Sequence, residues 1–321
     1  MSRTGTEMNG FVNFLKPAGM SSHDAVDFFR RLSGVRRVGH TGTLDPMAVG
    51  VLPLCVGKAT RIAEYLASDR KRYRCEMQLG ITTDTQDVWG RVISKAEDGF
   101  AARLCEPLLK ETAARFTGPQ LQTPPAYSAV KIAGKKLYEY ARSGEAVAAP
   151  ARRTEIFSLE IKRSDLARGL VNFEAECSKG TYMRTLCHDM GQMLGCGAAM
   201  SGLIRLDSGM FAIDDAYTVE ALEAAFSPDS APEGVLTAMD APLREFPSVE
   251  LSASASRAFV NGARVGLSPR EAAGAGGAGS RALCRVYGEA GAGGIGGTAV
   301  FLGMGRLEAD ALVADKVFCQ L

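Results

Sequence analysis

The chain has no run of apolar residues approaching the length of a membrane span. Its first ten residues carry no apolar core of the kind a secretory signal needs, so the expectation is a cytoplasmic protein with no membrane partner. Eight cysteines are scattered without a C-x-x-C pair, and several fall on apolar faces. That pattern predicts reduced thiols and argues against a disulfide framework or a zinc site. The three histidines, His23, His40 and His188, are too dispersed to suggest a ligand cluster, and Cys187-His188 reads as helix packing. No G-x-S-x-G occurs, and no Ser-His-Asp set is evident. Residues 50–60 (GVLPLCVGKAT) end like a phosphate-binding loop, but six residues separate the glycines where the motif has four, and Pro53 interrupts them. An aspartate phosphatase wants a second aspartate two residues after the first; after Asp45 that place holds Met47. There is no internal repeat.

What is present is a chain of 321 residues, 46% hydrophobic and 23% charged, long enough for a large core and more than one domain. The net charge of +1 conceals an uneven distribution. Residues 1–205 carry 29 Lys and Arg against 21 Asp and Glu, whereas residues 206–246 carry 1 against 9. A basic body beside an acidic segment is compatible with a phosphate-rich partner, and equally with solvated surface charge.

Periodicity supplies the elements. Residues 10–15 read as a strand ended by the turn signal Lys16-Pro17-Ala18-Gly19. A helix follows from Ser21-Ser22, with Ala25, Phe28, Phe29 and Leu32 on one face and Gly34 closing it. Residues 49–56 are an apolar run, and 58–66 look helical. Strict alternation then puts Tyr73, Cys75, Met77 and Leu79 on one face of a strand and Arg72, Arg74, Glu76 and Gln78 on the other. Residues 80–90 form a polar loop before a return strand at 91–94. Residues 101–117 and 135–142 read as helices, 122–131 as an extended segment, and 156–161 and 170–177 as strands. A helix opens near Thr181 and buries Met183, Leu186, Cys187, Met190 and Leu194, leaving Tyr182 and Arg184 off that stripe. A strand around 202–213 and an acidic helix at 219–225 follow. A boundary is expected within 241–247, dividing a catalytic domain, 1–245, from a small module, 246–321. The module should hold a helix at 251–260 and strands at 281–287 and 299–304. Two tracts of Gly and Ala, 272–279 and 288–297, cannot form a core.

The stretch Gly39-His40-Thr41-Gly42-Thr43-Leu44-Asp45-Pro46 places one carboxylate on a loop too rich in Gly, Thr and Pro for helix or strand. Asp before Pro is a common turn opening, and residue type alone favours structure over catalysis. Tyr73 on an apolar face and Arg184 near a helix start have equally plain readings, as core and as solvated charge.

In combination these residues sit in a pattern. The segment GHTGTLDPMAVGVLPLCVGKATR resembles the signature of the TruB-type tRNA pseudouridine synthases. So do LKPAGMSSHDAV before it and KRYRCEMQLGITTDTQDVWG, PPAYSAVKIAGKKLYEYARSG and SKGTYMRTLCHDMGQMLGCGA after it, in the family's order over roughly residues 10–205. The resemblance implies isomerisation of uridine 55 in the tRNA T-loop. It implies Asp45 as nucleophile, Tyr73 as the residue that stacks on the base and takes a proton in the final step, and Arg184 as partner of the catalytic carboxylate. His40, Tyr182 and Leu203 would line the flipped-nucleotide pocket. Asp84 would lie in the loop that approaches the base, and Lys16 matches the basic residue of a Lys-Pro turn and would contact substrate. Two positions depart from the family. Leu15 stands where many members have aspartate, and Leu203-Ile204-Arg205-Leu206-Asp207 lacks two basic residues of a more arginine-rich stretch.

The fold implied is α+β, with a mixed, largely antiparallel sheet, flanking helices, an RNA cleft and a β-rich PUA-like tail. The reaction is redox-neutral and transfers no group in or out, so neither cofactor nor metal is expected. The partner expected is the tRNA T-arm, bound by a monomer with no obligate protein partner. Two rivals remain open: a tRNA-binding or tRNA-folding protein of the same family with secondary catalysis, and a nucleoside hydrolase using Asp45.

Overall fold

The computed structural model describes residues 8–66, 70–145, 147–227, 229–230, 232, 234–268, 282–289, 299–308 and 311–319. The chain divides into two compact units, Met1–Leu236 and Thr237–Leu321.

In the first unit the order is β1 (Gly10–Lys16), α1 (Ser22–Ser33), β2 (Val38–His40), β3 (Val49–Val56), β4 (Lys71–Leu79), β5 (Ile81–Thr83) and β6 (Val92–Lys95). Then come α2 (Glu106–Arg115), β7 (Gly118–Gln122), β8 (Lys131–Ile132), β9 (Lys135–Lys136), α3 (Leu137–Arg142), β10 (Arg152–Asp165) and β11 (Leu170–Cys177). The unit ends with α4 (Met183–Met193), β12 (Ala198–Ser208), β13 (Phe211–Ala212) and α5 (Val219–Ala225). The main sheet runs β1-β3-β12-β4-β11-β10-β7. Its neighbours are antiparallel except β12 on β3. This is the mixed, largely antiparallel α+β sheet expected.

β4 alternates as its sequence dictates. Tyr73, Cys75, Met77 and Leu79 are buried, and Val171, Phe173, Ala175 and Cys177 of β11 extend the same apolar layer. α4 lays Met183, Leu186, Cys187 and Met190 against this layer. Burying one such side chain contributes roughly 1.5–3 kcal/mol before the entropy of ordering it. The helix approaches closely because residue 191 has no side chain: a Cβ there would lie 2.1 Å from the Ala198 nitrogen. At the other end of the sheet α1 opens with a capping box between Ser21 and Asp24 and closes on Gly34 in the left-handed conformation.

Several expected boundaries moved. Residues 57–66 are not an α-helix; Gly57–Arg61 is a 3₁₀ helix followed by turns. Ile62 N donates to Ala59 O and Tyr65 N to Ile62 O, both at 2.9 Å. The buried residues Ala59, Ile62 and Tyr65 repeat every third position, a spacing that suits a 3₁₀ turn as well as a helix face. The strand expected over 202–213 begins at Ala198 and turns at 209–210 into β13. In the 101–117 segment, Phe100–Arg103 is 3₁₀, and α2 begins only where Pro107 occupies the first turn.

The second unit holds β14 (Ser248–Leu251), α6 (Ala253–Val260), β15 (Val265–Gly266), β16 (Leu283–Glu289), β17 (Ala299–Glu308) and β18 (Ala311–Val317). They form one five-stranded sheet in the order β14-β16-β17-β18-β15. Val249, Phe259, Cys284, Val286, Leu302 and Leu312 make its core. Neither β14 nor β18 was anticipated; Leu251, read as the start of the helix, ends β14, and the helix begins two residues later, after Ser252. The Gly/Ala tract at 272–279 and residues 290–297 of the second tract lie outside the described residues. No helix among the described residues is long and apolar enough to cross a membrane.

Candidate active site

The loop carrying Asp45 is held from three elements. The Ser22 hydroxyl, at the start of α1, donates to Leu44 O at 3.0 Å and accepts from Leu44 N at 2.8 Å. Lys16, at the end of β1, donates to Pro46 O at 3.1 Å and also to Pro17 O and Met20 O. Arg205, on β12, donates to Gly42 O at 3.0 Å. The backbone is therefore fixed on both sides of Asp45, and the carboxylate stays 40% exposed.

That carboxylate meets Arg184. The Arg184 Nε lies 2.9 Å from Asp45 Oδ2, and Nη2 donates to Asp45 Oδ1 at 3.2 Å. One hydrogen bond and one close ion contact between guanidinium and carboxylate fix direction as well as charge. The remaining donors are spent on neighbouring loops: Nη1 on Thr85 O at 3.1 Å and Nη2 on Tyr127 O at 3.0 Å. Asp87 Oδ2 lies 3.7 Å from Nη1. Arg184 thus ties together the Asp45 loop, the 80–90 loop and the 122–131 segment. Its side chain is only 6% exposed, so lying off the apolar stripe of α4 does not put it in solvent.

Asp45, Tyr73, Tyr182, Arg184 and Leu203 all line one cleft of about 840 Å³, together with Tyr127, Lys71 and Lys179. Tyr73 is the buried wall: burial pushes its phenol up, and the Arg205 guanidinium beside it opposes that shift. Tyr182 caps α4, and its backbone is clamped by Gln122, which accepts from Tyr182 N at 2.7 Å and donates to Tyr182 O at 3.0 Å.

Two family models match the chain: the "TruB family pseudouridylate synthase (N terminal domain)" over residues 30–183, and the "tRNA pseudouridylate synthase B C-terminal domain" over 184–244. The tRNA pseudouridine synthase B of Alkaliphilus oremlandii is 43% identical over 258 residues, 80% of this chain and 83% of that one. That of Pelotomaculum thermopropionicum is 46% identical over 263 residues, 80% of this chain and 81% of the relative. The chain belongs to the TruB family of tRNA pseudouridine synthases. It is a member of an isomerase family. Among solved structures, the fold is similar to that in a Cbf5-Nop10-Gar1 complex, with a TM-score of 0.69 and 24% identity, over 97% of this chain and 85% of that one.

Three residues anticipated as substrate-binding stand elsewhere than at the cleft lining. Lys16 is fully buried, and its ammonium is spent on three backbone carbonyls, which suits it to holding the TruB signature loop rather than touching RNA. Burial lowers its pKa to about 8, against the opposing pull of Asp45 and with help from Arg205. His40 ends β2, half-buried, with Nδ1 enclosed and unpaired; burial, then Arg205 and His23, favour its neutral form. Asp84 accepts from Arg91 N at 2.8 Å and braces the hairpin of β5 and β6. The acid of that loop that reaches Arg184 is Asp87. Nothing in the spacing of Asp84 and Asp87 distinguishes them. Arg205 was also missed, although its two-residue offset from Leu203 on one strand was a usable signal.

Proposed function

We propose that the enzyme converts uridine 55 of the tRNA T-loop to pseudouridine, with Asp45 as the nucleophile. The observation that carries this reading is the paired Asp45–Arg184 contact opening into a cleft that Tyr73 also lines. A guanidinium at this distance favours the charged carboxylate, the form that can attack. The target base must leave its stack to reach it, at a cost of a few kcal/mol. Stacking on Tyr73 offsets roughly 1–3 kcal/mol of that. Asp45 forms an adduct with the nucleotide, at the sugar C1′ or the base C6. The N1–C1′ bond breaks, the base turns, C5 bonds to C1′, and the bond to Asp45 breaks with its electron pair returning to the carboxylate. The proton on C5 then passes to the Tyr73 oxygen in its phenolate form, the C–H bonding pair restores the C5=C6 double bond, and N1 takes up a proton, so none is gained or lost overall. No electron acceptor enters.

Tyr182 and Leu203 shape the base pocket, while Lys179 at the cleft is suited to the RNA backbone. The protein works in the cytoplasm as a monomer. Mass mapping of total tRNA from a strain lacking the protein, with and without the gene restored, tests the reading. Pseudouridine at position 55 should vanish and return. Loss at a different position, or no loss, would sink the assignment.

A further inference from the structure

Arg205 is the largest fully buried side chain among the described residues. Among those residues no carboxylate pairs with it. A buried guanidinium without a counter-charge costs several kcal/mol unless its donors are well used. Here Nε donates to Val51 O at 2.7 Å and Nη2 to Gly42 O at 3.0 Å. In the sheet Arg205 stands directly opposite Tyr73, and both line the cleft that Asp45 opens into. One rigid cation therefore holds the loop that carries Asp45 and stands beside Tyr73, whose phenol it draws down against the upward push of burial.

We propose that Arg205 is a positioning residue for the proton-transfer step, holding the Tyr73 oxygen with a lone pair free to receive the C5 proton. This rests on the reading of Tyr73 as the proton acceptor. A guanidinium has donors and no acceptor, so a phenol oxygen beside it can only accept. That orients the oxygen, and the positive charge opposes the rise that burial imposes on the phenol, easing formation of the phenolate that takes the C5 proton. In the step itself the C5–H bond breaks, an O–H bond forms on Tyr73, and the C–H pair re-forms the ring double bond. A lysine, as a single point charge, does not reproduce a fork that reaches Val51 O and Gly42 O together while standing beside Tyr73.

The test uses the full-length protein under single-turnover conditions, with tRNA transcripts carrying hydrogen or deuterium at C5 of uridine. Arg205→Lys should slow pseudouridine formation about 10- to 100-fold while tRNA binding stays within a few-fold of wild type. It should also enlarge the deuterium isotope effect, because removal of the C5 proton becomes the slow step. The isotope effect is a ratio of rates and is insensitive to the fraction of folded enzyme, so partial misfolding does not mimic it. Tyr73→Phe run alongside separates the two ideas. A wild-type rate in Tyr73→Phe overturns Tyr73 as proton acceptor and the role of Arg205 with it. A slow Tyr73→Phe beside an Arg205→Lys enzyme with an unchanged isotope effect leaves Tyr73 its role and overturns that of Arg205.

Discussion

The two faces of the main sheet use arginine in opposite ways. On the outer face of β4, Arg72 and Arg74 pair with Asp207 and Glu174, and Arg70 just before the strand pairs with Glu176. Their side chains remain 48–62% exposed. On the inner side, Arg184 and Arg205 reach the cleft nearly or wholly buried. Exposed pairs give up little hydration and return little stability, typically 0–1 kcal/mol. A buried guanidinium is desolvated, so each of its contacts is strong and its removal leaves partners stranded. The outer arginines make a solvated surface; the inner ones hold a carboxylate and three loops in one arrangement beside Tyr73.

The sharpest way to break this contrast is to remove an inner arginine. Arg184→Gln should lower the single-turnover rate by on the order of 10²-fold or more, since the carboxylate loses both its charge partner and its aim. A rate within a few-fold of wild type would put Arg184 among the structural arginines. Gly50 offers a test of the backbone behind Arg205. It holds φ at +117°, and an added Cβ would lie 2.2 Å from Arg205 O. Gly50→Ala should cost about 2–4 kcal/mol in a denaturant titration, because the strand must part from β12.

A smaller effect is expected at Lys16. Its folded pKa of about 8 lies below the ordinary lysine value of 10.5, so the unfolded chain binds more protons between those limits. Stability attributable to this group should therefore rise with pH from about 8 to 10.5, by roughly 1–3 kcal/mol. Replacement by Met should flatten that slope in chemical-denaturation curves taken across the window. Smallest of all is the outer face: Arg74→Ala should cost about 0.2–1 kcal/mol, diminish further in high salt, and leave the rate unchanged.

What was legible in the sequence follows the same division. Alternation along β4 and β11 and the apolar stripe of α4 announced their buried faces because hydrophobicity there has a simple period. Asp45, Tyr73 and Arg184 were found through a motif. Yet the contacts that unite them run between positions as far apart as 45 and 184, which no local pattern encodes. Arg205 and Lys16 were obscured by their charge, since a lysine or arginine is ordinarily read as exposed. Only the three-dimensional count of carbonyls around each shows why it is inside. The 57–66 segment was misread because a repeat of three and a repeat of 3.6 coincide over so short a stretch.

The most direct measurement is tRNA binding and pseudouridine formation by Asp45→Asn on an unmodified transcript. The substitution keeps the size of the side chain and the hold of Ser22 and Lys16 on Leu44 and Pro46, and removes the charge together with one acceptor oxygen. The structure predicts binding within a few-fold of wild type and no pseudouridine detectable by mass spectrometry. Appreciable residual isomerisation would contradict the role given to Asp45 and, with it, the purpose assigned to Arg184.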